Sequence, residues 1–366
     1  MSRFAIFCHS LKSDWNHGNA HFLRGLYTAL LDRGHQVTAY EPRDSWSLSN
    51  LRADYGDQPV ADFCSAFPHL RSVEYNLEKL DLDRDLQDID VVLVHEWNAP
   101  ELVRCIGEHR ATNSRYRLLF HDTHHRSVTE PAAMAAYDLT HYDGVLAFGE
   151  SVRQQYLRNG WAQRVWTWHE AADISVFYPR RAAQPLKPRY DLVWVGNWGD
   201  DERTAELREF LLDPVRELGL RACIHGVRYP AAALQALEAA GIEYKGWLPN
   251  YRAPELFADA RMTIHVPRRP YADALPGIPT IRIFEALACQ IPLISAPWLD
   301  NENLFCPGLD FTYAGDGSEM KRQMRRILDQ PQTAARQASH GRSTIECRHT
   351  CAHRATELEQ IVGELA

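Results

Sequence analysis

The chain has 366 residues, 45% hydrophobic and 24% charged, with a formal net charge of −8. It is too long for one ordinary core and too apolar to be disordered, so two or three packed domains are expected. The negative balance gives no reason to expect a nucleic acid or an anionic membrane as partner. The first apolar run is broken at once by His9, Lys12 and Asp14, which suits a strand and not a signal peptide. No stretch approaches the ~20 apolar residues of a membrane span. The eight cysteines are scattered without a CxxC pair, as expected of reduced thiols in a cytoplasmic protein.

In chain order, RFAIFCHS (3–10) predicts a strand ending in the polar loop SDWNHGNAH. A helix follows on Phe22, Leu23, Leu26, Leu30 and Leu31, closed by Arg33-Gly34, and QVTAYEP (36–42) is the next strand. This strand–loop–helix–strand unit opens a parallel sheet, continued by strands at 91–97, 117–122 and 144–150. The polar, aperiodic 181–189 reads as a linker. The pattern then restarts with YDLVWVGNWGDD (190–201) and a helix through TAELREFLLDPVRELG. Further strands are expected in RACIHG, EYKGWL, MTIHVP and PLISAP, with helices between them and a helical run from about 333 to 365. The fold class is therefore α/β, with two doubly wound Rossmann-like domains facing a cleft. The expected domains are 1–180 and 190–345, with residues 346–366 as a C-terminal helix crossing back to the first.

The sequence lacks both GxxxxGK[ST] and a GxGxxG after the first strand, which disfavours P-loop and dinucleotide chemistry. Gly196-Asn197-Trp198-Gly199 lies between a strand and a helix, where amides can hold a phosphate or simply form a turn.

The stretch PGIPTIRIFEALACQIPLISAPW (276–298) resembles the donor-site signature of GT-B glycosyltransferases. It is most similar to the CgeB-type, spore-maturation-like branch, with its R-x-F-E core. Residues 17–42, 172–179 and 245–266 are similar to other tracts of that superfamily. The resemblance implies that Glu285 accepts hydrogen bonds from the donor's ribose, a task suited to an acceptor-only carboxylate. Arg282 and Thr280 would serve the diphosphate, Arg268 a phosphate or the sugar, and Trp247 the base. Against these stand plainer readings: an i,i+3 surface pair, a solvated loop and a core tryptophan. Gly277 occupies the position where many retaining relatives carry a second glutamate, so the stereochemical outcome stays open.

The first domain would hold the acceptor and any general base, with Asp122, His121, Asp14 and His21 as candidates and His17, His124 and His125 as neighbours. Cys347/Cys351 and His349/His353, taken as pairs on one helix, point about 200° apart, so no metal site is expected. The resemblance implies metal-independent transfer from a nucleotide-diphosphate sugar, UDP favoured, to an unknown hydroxyl acceptor, with no further cofactor. A nucleotide-sugar epimerase and a non-catalytic sugar-nucleotide-binding or surface-coat maturation protein are the alternatives.

Overall fold

The structure is a computed structural model describing residues 1–113, 115–180, 188–199 and 201–365. Most of the expected linker, 181–187, lies outside the described residues. The chain forms two compact units, Met1–Glu170 with Cys351–Ala366, and Ala171–Thr350. Residues 171–180 thus belong with the second unit and 346–350 do not leave it.

The first unit is built on seven strands: β1 (Arg3–Phe7), β2 (Gln36–Pro42), β3 (Ser72–Tyr75), β4 (Val91–His95), β5 (Arg117–Asp122), β6 (Gly144–Ala147) and β7 (Val165–Thr167). They form one parallel sheet in the order 3-2-1-4-5-6-7. Every residue of β4 and β6 is buried, as expected for a sheet covered on both faces. The order reverses between β1 and β4, which pair Phe4 with Val91 through Phe7 with Val94. Helix Ala20–Asp32 follows β1 and ends where Gly34 takes a φ of 82°.

Helix Cys351–Glu364 completes this unit. Its Glu359 accepts from Arg33 Nε at 2.8 Å and lies 2.7 Å from His35 Nε2, while Trp168 Nε1 donates to Arg354 O at 3.1 Å. The Arg33 hydrogen bond holds the Glu359 carboxyl down at about 2.

The second unit repeats the plan with β8 (Tyr190–Val195), β9 (Ala222–His225), β10 (Ile242–Tyr244), β11 (Ala260–His265), β12 (Leu293–Ser295) and β13 (Thr312–Tyr313). Its parallel order is 10-9-8-11-12-13, so the reversal falls between β8 and β11. A core of Leu192, Trp194, Leu211, Ile224, Met262, Ile264 and Met324 lies against this sheet.

Two expectations are corrected. Strands β3, β7 and β13 were not legible in the sequence. Each is two to four residues long and pairs on one side only, too short for a clear pattern. The helical run expected from 333 to 365 breaks into Pro331–Arg348 and Cys351–Glu364, because Thr350 bridges Ala172 in extended conformation. The two Cys/His pairs therefore do not share a helix. His349 caps the first segment, donates from Nε2 to Leu304 O at 2.9 Å and packs 5.0 Å from Phe305. Among the described residues, no helix is long and apolar enough to cross a membrane and no group of three metal-ligating side chains converges.

Candidate functional site

In an open parallel sheet, the loops leaving the carboxyl ends on either side of the order reversal diverge and leave a ligand-sized gap. In the second unit those loops follow β8 and β11. Arg203 ties them together: Nη1 donates to Val266 O at 2.8 Å, Nη2 to Asn197 O and Nε to Trp198 O at 3.4 Å. The guanidinium stands 5.0 Å over the Trp194 ring. All these acceptors are main-chain carbonyls, so no carboxylate neutralises Arg203 in its hydrogen bonds.

Two further arginines approach it. Arg268 pairs with Glu202 at 3.0 Å and Arg282 with Glu285 at 2.5 Å. Burial first, and then Arg268 and Arg282 as like charges, pull the Arg203 guanidinium down to about 9. Burial and Arg203 likewise bring His265 down to about 3, so this buried imidazole is neutral. Among the described residues, Arg268 and Arg282 thus each have a carboxylate partner, whereas the hydrogen bonds of Arg203 go to carbonyls. Arg203 had no signal in the sequence, where DDERTAELR reads as the charged face of a helix.

Glu285 lies in helix Ile281–Ala288, whose residues are all buried except Arg282. It is the fifth residue of that helix, a turn later than a first-turn carboxylate stabilised by the helix dipole would be. Its side chain is fully buried, accepting from Asn250 Nδ2 at 2.6 Å on one oxygen and from Arg282 Nη1 on the other. The Arg282–Glu285 pair is therefore no solvated surface pair, since Arg282 is 27% exposed and Glu285 0%.

Thr280 precedes the helix in extended conformation, and its hydroxyl makes no capping bond. Its carbonyl accepts from Ile283 N at 3.1 Å. Gly277, upstream, has a φ of 94°, and the Glu302 carboxylate lies 2.9 Å from where a β-carbon would stand. A side chain there would meet both strain and Glu302.

The loop after β8 is built differently from its sequence reading. The Gly196 amide donates to His225 O at 2.9 Å within the sheet ladder, so it is committed. Asn197 Oδ1 accepts from Val227 N at 2.9 Å. Arg203 follows this loop, and its Nη2 donates to Asn197 O. Trp247 follows Gly246, whose φ is 68°, and is partly exposed, outside the main core.

In the first unit the loops after β1 and β4 flank the reversal. Glu41, at the end of β2, orders the first by accepting from Ser10 Oγ and Leu11 N, both at 2.9 Å. Asp14 is committed to Arg24 at 2.8 Å, both side chains 3% exposed. His21 is buried on helix Ala20–Asp32. His121, at the end of β5, packs 4.9 Å from Trp168 and 5.1 Å from His95, and burial lowers it to about 3. His17 and His95 are held well below their ordinary value for the same reason, and His9 falls to about 4. These imidazoles are neutral at physiological pH.

Asp122 is fully buried, accepting from Tyr156 Oη at 2.9 Å and from His124 N at 3.0 Å. Beside it stands Glu96, also fully buried, whose Oε2 accepts from Arg126 Nε at 3.2 Å and Nη2 at 2.9 Å. Among the described residues its Oε1 meets no hydrogen-bond partner. Burial raises both carboxyls, and Asp122 raises Glu96 further. Glu96 was missed in the sequence because HEW at a strand end carries no spacing motif.

Residues 203–360 match the family model described as "Glycosyl transferase-like". No curated protein matches the chain significantly. Among solved structures, HepE of Anabaena in complex with UDP and glucose superposes with a TM-score of 0.69 at 13% identity, over 100% of both chains. Sucrose-phosphate synthase from Thermosynechococcus elongatus gives 0.66 at 15%, over 100% of this chain and 99% of that one. An alpha-glucosyltransferase in complex with UDP-glucose and DNA containing an abasic site gives 0.71 at 12%, over 99% of each. The chain thus has the GT-B fold of two parallel α/β sheets. The fold also occurs in a protein bound to DNA, so net charge alone does not exclude a nucleic acid as partner.

Proposed function

We propose that this protein is a glycosyltransferase that takes a sugar from a nucleotide-diphosphate sugar, and that the second unit binds the donor. The carrying observation is the Arg203 guanidinium at the β8/β11 reversal, hydrogen-bonded among the described residues to carbonyls and flanked by Arg268 and Arg282. Such a cluster places fixed positive charge where a diphosphate leaving group develops its negative charge. Fixed guanidiniums can supply that charge in place of a divalent cation, and on that ground we read the transfer as metal-independent. Glu285, oriented by Asn250 and Arg282, is the acceptor carboxylate we assign to the ribose hydroxyls. Thr280 and the amides at the start of its helix are the next candidates for phosphate contact. UDP is the favoured nucleotide, since HepE and the alpha-glucosyltransferase are both seen with it. The R-x-F-E core supports the CgeB-type branch, and eight free cysteines suit a reducing, cytoplasmic setting.

The first unit supplies the base. The acceptor oxygen attacks the anomeric carbon, the bond from that carbon to the diphosphate oxygen breaks, and its electron pair leaves with the diphosphate. The acceptor's proton passes to a carboxylate raised toward neutrality. Of the pair, Glu96 is better placed than Asp122, because Asp122 spends both oxygens on Tyr156 and the His124 amide.

Thermal shift with UDP-, GDP-, ADP- and dTDP-sugars tests the donor assignment. A ligand at about 100 times its dissociation constant should stabilise the protein by roughly 2.7 kcal/mol. The assignment fails if none shifts the melting point or if Glu285→Ala leaves the shift intact. Donor binding without transfer or hydrolysis would favour a non-catalytic binder, and sugar turnover without acceptor an epimerase.

A further inference from the structure

The carboxyl edge of the first unit carries a feature that donor chemistry does not use. Trp97, in the loop after β4, keeps 39% of its surface exposed although it sits at the β1/β4 reversal. Its ring is fixed. The Arg126 guanidinium lies 4.5 Å from the ring centroid, and Arg126 is itself held by Glu96 Oε2, by Glu96 O at 2.8 Å and by Tyr137 Oη at 2.8 Å. The His124 ring meets the tryptophan edge-on at 4.8 Å, and His9 lies 6.2 Å away. His9 also accepts the amide of Ser47 at 3.3 Å, which brings in the neighbouring Trp46, 47% exposed and packed edge-on against Trp15 at 5.0 Å.

We propose that this edge is the acceptor site and that the acceptor is a neutral glycan, with one sugar ring stacked on Trp97 and the next toward Trp46. The proposal rests on the glycosyltransferase reading for the word acceptor, but the binding it describes does not. A rigid exposed indole offers an apolar face at low entropic cost, and imidazoles at its rim both donate and accept hydrogen bonds to hydroxyls. The charge around the platform is already answered. Arg126 is paired with Glu96, Arg24 with Asp14, and Lys12 with Glu41 and Glu74. His9 is neutral. Beside Trp97 itself the described cations are paired, and the exposed Arg43 lies toward the Trp46 end, so the Trp97 face suits a neutral sugar ring better than a phosphate backbone.

The full-length protein is titrated by calorimetry with cello-, malto-, chito- and xylohexaose, with a short DNA duplex, and separately with UDP. At least one hexasaccharide should bind. Trp97→Ala should weaken it about tenfold or more and Trp97→Phe much less, with UDP affinity unchanged in both. The indole N–H resonance of Trp97, assigned by its loss in Trp97→Phe, should shift on adding that sugar to the unmodified protein. The proposal is overturned if no hexasaccharide binds while UDP does, if Trp97→Ala binds the sugar as well as the parent, if the resonance stays in place, or if the duplex binds in preference. Failure of UDP binding alone strikes the donor assignment and leaves the glycan result to be read by itself.

Discussion

The two units share a parallel, doubly wound sheet with one order reversal, yet the edges beyond their strands are electrostatic opposites. At β8/β11, among the described residues, Arg268 and Arg282 pair with carboxylates while Arg203 bonds to carbonyls. At β1/β4, the arginines are paired, the histidines are held neutral and two buried carboxyls are raised. Topology sets where a ligand goes, and the charge left over after internal pairing sets which ligand. An excess cation suits a diphosphate. Neutral imidazoles around an exposed tryptophan offer hydrogen bonds suited to a hydroxyl-bearing ligand.

The contrast is most sharply exposed by acid. His9, His121 and His265 have folded values near 4, 3 and 3, below their unfolded 6.5. Their stability is present in full above about pH 6.5 and is lost as pH falls toward those values. Each should cost about 2 kcal/mol by pH 5, at roughly 1.4 kcal/mol per pH unit. Glu96 and Asp122, being raised, act in the opposite sense and gain as pH falls toward their unfolded values. Urea unfolding at pH 7 and pH 5 should therefore show a net loss, the three histidine costs of about 2 kcal/mol each exceeding the roughly 4 kcal/mol regained by the two carboxyls. His121→Phe, packed by Phe22 and Trp168, should recover about 2 kcal/mol of it, and an unchanged pH slope in that variant would refute the assignment.

Next in size is the anion at the second edge. Arg203→Met should weaken UDP by about 2–3 kcal/mol, the range of hydrogen bonds to charged groups, and leave uridine nearly unaffected. Equal losses for nucleotide and nucleoside would mean that Arg203 only holds the loops together.

The smallest effect concerns the closing helix. Glu359→Gln should cost about 1 kcal/mol, diminish with salt and raise hydrogen exchange in residues 351–364. Uniform exchange across the first unit would instead mean that the helix unfolds only with the whole.

The long central strands were legible because a sheet covered on both faces demands near-continuous apolar runs, as VVLVH and YDLVWV show. Helix Ile281–Ala288 and its Arg282–Glu285 pair were legible from a dense local motif. Arg203, Glu96 and Trp97 were not, because their partners lie far along the chain: Val266 for Arg203, Arg126 for Glu96 and Trp97. Asp14 carried a functional look in the sequence, and its buried pairing with Arg24 became visible only in three dimensions.

By itself, then, the sequence determined two α/β halves, the helix that carries Glu285 and the absence of a side chain at Gly277. Those are matters of periodicity and local spacing, which a chain carries in its own order. Only the tertiary structure decided which charges cancel. Ion pairing and burial depend on through-space distances of a few ångströms between residues tens of positions apart, and that sum set Arg203 on carbonyls and Trp97 between the paired Arg126 and a neutral His9.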